Sequence, residues 1–188
     1  MTNDLTLRCQ IRIKPEFLRI DYEIGNPSTR GVYVFVVPTD ARMEPYHHQT
    51  YMALSPNRRV LYLVVDKTPL PPDGLGLGLG KKEAVPLACF IKPGGRHSDR
   101  IMLYFPAREW HAYALPQDSE YGASSQVTHV VVSLGYVFED EASQVERSLV
   151  PGLHTFVSTA RRKLVATLRL DEPLLVQELL DDRIRMTF

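Results

Sequence analysis

The first 25 residues alternate between apolar and polar side chains. The alternation runs from Leu5 to Ile13, breaks at Pro15-Glu16 and resumes from Leu18 to Ile24. Successive side chains of a strand point to opposite faces of a sheet, so this period of two predicts two strands with one buried and one wet face. We expect them to form an antiparallel hairpin with a loop of about four residues.

This hairpin has a definite predicted register. Apolar side chains oppose apolar ones, and an arginine opposes a glutamate, which is a favourable cross-strand pair. The same register sets Arg12 opposite Arg19, and these like charges count against it. The other predicted pairs are Ile13 with Leu18, Cys9 with Tyr22, and Arg8 with Glu23.

Short apolar runs separated by Gly, Pro and Asn turns predict further strands. Gly135 is expected to be a bulge, and His97-Ser98-Asp99 a polar turn. Residues 107–126 look irregular, 139–152 look like a polar connection with one helical turn, and 174–180 fit either strand or helix. The predicted strands are 32–37, 51–54, 60–65, 87–91, 101–105, 127–138 and 163–170.

About eight strands with little helix predict an all-β chain. We expect a single domain over residues 1–188, folded as a two-sheet antiparallel β-sandwich. An immunoglobulin-like arrangement is favoured because it is the commonest such architecture. The Cys-Trp-Cys order of antibody domains is not reproduced, since Trp110 follows both cysteines.

Charge and composition exclude several function classes. The chain has 22 basic and 22 acidic side chains, whereas nucleic-acid binding usually needs a basic surplus, so we expect no nucleic-acid partner unless a local patch exists. No apolar run approaches 20 residues and no signal peptide is visible, so we expect no membrane partner and a cytoplasmic location. Cys9 and Cys89 are expected to be buried thiols, with a disulfide between facing sheets as the alternative.

Residues 69–82 differ from the rest because three prolines lead into a glycine–leucine alternation. Neither the phosphate-loop pattern nor the dinucleotide-binding pattern fits it. We expect a long loop or loose edge ribbon whose leucines either cover this protein's own core or dock on a partner. The leucines are Leu75, Leu77 and Leu79.

A second candidate binding segment lies in the irregular stretch after the strand at 101–105. It contains Trp110, His111 and Tyr113. Tryptophan and tyrosine are enriched at interaction hot spots, and loops at the ends of sandwiches carry function. The alternative is that Trp110 fills the edge of the core.

The candidate catalytic and metal-binding patterns do not form a coherent site. His97-Ser98-Asp99 contains the residue types of a hydrolase triad, but neighbours in an extended chain point apart. His47 and His48 diverge for the same reason, and zinc would need further ligands. The acidic loop 139–141 lacks the spaced carboxylates of calcium loops. We therefore predict no catalytic residues, no metal and no cofactor.

The sequence favours a non-enzymatic module that binds another protein or itself. This interpretation depends on the glycine–leucine loop and the Trp110 segment. The alternative is an enzyme or small-molecule binder whose site is assembled from distant residues. Its expected members are His47, His48, His111 and the acidic loop.

Overall fold

The computed structural model describes residues 5–37, 50–66, 86–109, 121–160 and 162–180. Among these residues the chain is nearly all β, and its helical structure is a 3-10 turn at Glu139–Glu141. No described helix is long and apolar enough to cross a membrane. The strands are β1 (Thr6–Lys14), β2 (Phe17–Gly25), β3 (Val32–Val37), β4 (Tyr51–Leu54), β5 (Val60–Val65), β6 (Leu87–Ile91), β7 (Arg96–Tyr104), β8 (Ala107–Arg108), β9 (Tyr121–Phe138), β10 (Ser143–Arg147), β11 (Leu153–Val157) and β12 (Arg162–Leu179).

Strands β1, β2 and β7 form a three-stranded antiparallel sheet, which we call the small sheet, with β2 at its centre. The predicted hairpin register is confirmed, including the like-charged pair Arg12 and Arg19. The loop is shorter than predicted. Pairing continues to Lys14 and Phe17, so only Pro15-Glu16 remain in the turn.

Nine strands form the large sheet, in the order β10-β11-β6-β3-β9-β12-β8, with β5 also paired to β9 and β4 to β5. This sheet is a curled half-barrel. Its central strand β9 pairs with β12 along one edge and with β5 and then β3 along the other. The all-β class with two sheets is confirmed. Purely antiparallel pairing is wrong, because β5–β9 and β8–β12 are parallel, and the immunoglobulin-like sandwich stays a prediction.

Strands β3 to β6 begin and end where the sequence predicted them. The region 153–180 forms strands β11 and β12, whereas β9 begins six residues before its predicted start at 127. The polar turn expected at His97-Ser98-Asp99 is wrong, because these residues lie in β7 and pair with β2. Their inward-facing members, His97 and Asp99, are polar, so the alternation that would have indicated a strand is missing.

Gly135 is not a bulge, because β9 keeps a regular register with β12 at that position. A Cβ atom at Gly135 would overlap the Asp66 carboxylate, so this position needs a residue without a side chain. The register instead shifts between Arg169 and Leu174. Pro173 lies inside that interval and has no backbone N–H to donate to the ladder.

One hydrophobic cluster joins buried residues of the two sheets. The inner side chains of β2 are at most 4% exposed, and they belong to one hydrophobic cluster with buried residues of the large sheet. This packing leaves the outer face of the small sheet turned away from the core. The cluster includes Leu18, Ile20, Tyr22 and Ile24 of β2, Ile101 and Leu103 of β7, and Val32, Val34, Cys89, Ile91 and Leu134 of the large sheet.

A buried asparagine stabilises the connection from β2 of the small sheet to β3 of the large sheet. The Asn26 side chain is 1% exposed, and its Nδ2 donates to the carbonyls of Arg30, Ile91 and Lys92 at 2.8, 3.0 and 3.2 Å. Its backbone N–H donates to the Gly95 carbonyl at 3.0 Å. These bonds link the end of β2 to the β6–β7 turn and so tie the small sheet to the large one.

Candidate functional site

The outer face of the small sheet concentrates positive charge. Every second residue of β1, β2 and β7 points outward, and the register aligns these residues in five rows of three. Six side chains are cationic and two are acidic, a surplus of four positive charges in a chain of zero net charge. The cations are Arg8, Arg12, Lys14, Arg19, Arg96 and Arg100, and the acids are Asp21 and Glu23.

The two carboxylates of this face are both paired. Asp21 Oδ1 accepts from Arg19 Nη2 at 2.6 Å and from Arg19 Nε at 2.8 Å. Glu23 Oε1 lies 3.3 Å from Arg96 Nη1. The remaining arginines, Arg8, Arg12 and Arg100, are exposed and form no ion pair with any described residue. Their charges are therefore directed at solvent.

The positive field of the face also acts on Asp21. Its hydrogen bond from Arg19 is the main cause that lowers the pKa of the Asp21 carboxyl, and the charges of Arg12 and Arg100 lower it further. A shallow depression of about 520 Å³ lies over this part of the face, and its charged lining comprises Arg8, Arg19 and Arg100 together with Asp21, Glu23 and Asp99. The depression therefore presents guanidinium groups from all three strands, alongside carboxylates, to whatever enters it.

One end of the face combines cations with aromatic rings. The last row is Lys14, Phe17 and Tyr104, and the row before it is Arg12, Arg19 and Met102. We call these two rows the basic–aromatic end. The rings of Phe17 and Tyr104 pack edge to face, with centroids 6.5 Å apart and planes at 66°. Tyr104 is 59% exposed, so much of its ring surface is open to solvent.

The inner face of the small sheet has a row of side chains with polar groups, and this row contains no cation. Cys9, Tyr22 and Asp99 lie side by side across β1, β2 and β7. Burial, with help from the nearby Asp99 carboxylate, raises the pKa of the Tyr22 hydroxyl. Tyr22 therefore stays protonated and hydrogen-bonds to Asp99, a structural bond at the edge of the core.

Both cysteines are free thiols, and Cys89 is buried. Burial raises the pKa of Cys9 to about 11 and the pKa of Cys89 to about 12. The thiolate is the nucleophile and the metal ligand, and at neutral pH these groups remain thiols. Neither cysteine is poised for nucleophilic or redox chemistry.

The acidic loop is the 3-10 turn after β9, and arginines hold two of its three carboxylates. Asp140 Oδ2 lies 3.0 Å from Arg30 Nη1, and Glu141 Oε1 accepts from Arg162 Nη2 at 2.8 Å. Both guanidinium groups lie over the Phe138 ring, at 3.6 and 5.2 Å from its centroid. Among the described residues no group of three potential metal ligands occurs.

A larger cleft of about 1020 Å³ lies beside the basic–aromatic end. It separates the β1–β2 turn from the irregular part of β12, with Ile13 on one wall, Leu174 on the other, and Lys14 and Asp171 among its polar side chains. The cleft offers apolar contact and isolated charges. Its described lining contains no histidine or cysteine to perform chemistry.

The residues that the sequence singled out for binding lie outside the described residues. They are Leu75, Leu77, Leu79, Trp110, His111 and Tyr113. The same holds for His47 and His48 of the alternative enzyme site. Both hypotheses stay predictions.

The basic outer face was missed although its signal was present in the sequence. The polar positions of β1 read Thr6, Arg8, Gln10, Arg12 and Lys14, with no acidic residue among them. Strand β2 adds Arg19, and β7 adds Arg96 and Arg100. The pairing of β2 with β7 joins segments about 80 residues apart that sequence alone did not connect. The net charge of the whole chain is zero, and this total does not reveal that positive charges are concentrated on one face.

Comparison with known proteins supplies no relative for this chain. No family model matches it, and neither the curated proteins nor the solved structures include a significant match. The function is therefore inferred from the geometry of the site.

Proposed function

We propose that this protein is a non-enzymatic binding module whose small sheet binds an anionic macromolecule on its outer face. The observation that carries the proposal is the surplus of four positive charges on one flat face of a neutral chain. Arg8, Arg12 and Arg100 project from it without a described carboxylate partner. A surface of one charge sign attracts partners of the opposite sign and speeds their association.

The described chemistry supports a binding role more than a catalytic one. The thiols stay protonated because they are buried, and Tyr22 is protonated and bonded to Asp99. The acidic turn is occupied by Arg30 and Arg162. These groups thus have structural uses, while Arg8, Arg12 and Arg100 of the basic face have no ion-pair partner among the described residues.

The test is a binding titration with a fluorescein-labelled heparin fragment, followed by anisotropy at low ionic strength. Replacement of Arg8, Arg12 and Arg100 by serine should weaken binding at least about tenfold, because three solvent-directed charges are lost. Added salt should weaken wild-type binding steeply, since screening shortens the reach of exposed charges.

The matched control removes the same charge elsewhere. Arg59, Arg147 and Arg169 are exposed, lie off this face and form no ion pair with a described residue. Their joint replacement by serine should change heparin binding by less than about threefold. Equal losses in the two triple variants, or no binding by the wild type, would show that the face is not a binding surface.

Self-association is a second candidate, favoured by the unpaired outer edges of β1 and β7 within the described chain. Free strand edges add strands from other chains. Against it, two copies of β1 paired edge to edge would bring Arg8, Arg12 and Lys14 of each copy together. Sedimentation velocity over a range of concentrations tests it, and a constant monomer would exclude it.

A further inference from the structure

We propose that the anionic partner is a single-stranded nucleic acid whose bases stack at the basic–aromatic end; this inference rests on the proposed function of the same face. Two properties of this end point to nucleic acid. It presents exposed aromatic surface, and it surrounds that surface with cations on neighbouring strands. An acidic protein would need the cations but not the rings.

The aromatic surface is available for stacking. Tyr104 is 59% exposed and lies on the outer strand β7, and Phe17 packs edge-on against it from β2. This edge-to-face contact holds the two rings beside each other on the same face. Proteins that bind single strands without sequence preference use such rings, because every base has a stacking face.

The cations are placed to meet phosphates beside a stacked base. Lys14 lies in the same row as the rings, and Arg12 lies one row away on the same strand. Rows on one face repeat about every 7 Å, which is two residues of an extended strand. Arg8 and Arg100 continue the cationic track toward the other end of the sheet. A bound strand can therefore run along the face from the rings toward Arg8.

The carboxylates of the face do not oppose this path. Asp21 and Glu23 belong to the two rows beyond the basic–aromatic end, and each is paired with an arginine. Along the chain, the nearest carboxylate to the rings is Glu16, in the turn between β1 and β2. On the face itself, repulsion of phosphate is thus confined to the turn and to neutralised pairs, while the cleft beside the basic–aromatic end adds the carboxylates of Asp171 and Glu172.

The exposed rings favour single strands over duplexes. The bases of a duplex are paired and stacked on one another and are not free to stack on protein rings, whereas the bases of a single strand are. Nine residues of strand span about 30 Å, which is long enough for several nucleotides. Recognition of this kind reads backbone charge and base surface and has little sequence preference.

The experiment compares three fluorescein-labelled probes by anisotropy with the intact chain: oligothymidine of about 12 nucleotides, a polyglutamate peptide of about the same length, and the heparin fragment. Tyr104→Ala should weaken oligothymidine binding about tenfold and leave heparin binding within about twofold, since only bases stack. Tyr104→Phe should restore oligothymidine binding. Val165→Ala, which truncates a side chain of similar exposure on the large sheet, is the matched control and should have no effect.

The possible outcomes separate the two proposals. Heparin binding without oligothymidine binding overturns the nucleic-acid inference and leaves the proposed function standing. Polyglutamate binding tighter than oligothymidine binding, unaffected by Tyr104→Ala, identifies an acidic protein as the partner and also overturns it. Absence of binding to all three probes overturns both. Selective loss of oligothymidine binding in Tyr104→Ala, rescued by Tyr104→Phe, supports both.

Discussion

On the inner face of the small sheet, His97 is the residue with a buried nitrogen that has no hydrogen-bond partner among the described residues. It lies in β7 opposite Ile24, and its Nε2 is buried without a hydrogen-bond partner among the described residues. Burial lowers the pKa of His97, and the Asp99 carboxylate opposes that shift without cancelling it. The folded protein therefore favours the neutral imidazole, and a proton on His97 costs folding free energy.

The sign of the resulting pH dependence follows from linkage. Because the folded pKa of His97 is lower than the unfolded value of 6.5, the unfolded chain takes up the proton first as pH falls. The contribution of neutral His97 to the unfolding free energy is fully present above pH 6.5. It is lost as the pH falls toward the folded pKa of His97. We expect urea-unfolding free energy to decline from about pH 7 to about pH 5, and to decline less in His97→Phe. Ser98→Ala, an exposed neighbour, should keep the wild-type decline, and identical profiles for all three proteins would contradict this account.

Strands β1 and β2 have nearly the same alternating pattern but unequal burial. The inner side chains of β2 are at most 4% exposed, whereas those of β1 are partly exposed and Ile13 reaches 43%. The cause lies in their neighbours, because β2 has a paired strand on both sides and β1 on one. Periodicity reveals which face is buried, and strand order decides how deeply.

This difference predicts unequal costs for the same substitution in the two strands. Ile20→Ala in β2 removes a fully buried side chain and should lower the unfolding free energy by about 2–5 kcal/mol. Ile13→Ala in β1 removes a side chain already 43% exposed and should cost less than about 1 kcal/mol. Urea unfolding at one pH measures both. Similar costs at the two positions would show that β1 is as much a core strand as β2.

At the level of elements, the sequence predicted those strands and that register which depend on the local pattern of apolar and polar residues. The β1–β2 register followed from apolar pairing alone, and β3 to β6 followed from short apolar runs between turns. Elements whose inward positions are polar were missed, such as the first half of β7 with His97 and Asp99. The parallel pairing of β5 with β9 was also missed, because pairing between distant strands leaves no mark in local periodicity.

For the molecule as a whole, neutrality conceals a strong charge separation. With six of the 22 basic and two of the 22 acidic side chains on the outer face, the rest of the chain has four more acidic than basic residues. The candidate site is the basic outer face of the small sheet. It is complete only when β7 pairs with β2, because β7 supplies one residue to each of its five rows. Composition could not predict it, because the net charge does not report where the charges lie.

Because the positive charges are concentrated on one face, we expect the protein to bind a cation exchanger even near its isoelectric point of about 7.0. At pH 7 and low ionic strength it should be retained on a cation exchanger, because the resin contacts the basic face while the acidic remainder faces solvent. Replacement of Arg8, Arg12 and Arg100 by serine should abolish retention. Replacement of Arg59, Arg147 and Arg169 lowers the net charge equally but leaves the face intact, so that variant should still be retained, although it elutes at lower salt. Identical elution of the two triple variants would mean that net charge alone governs binding and that the face has no separate effect.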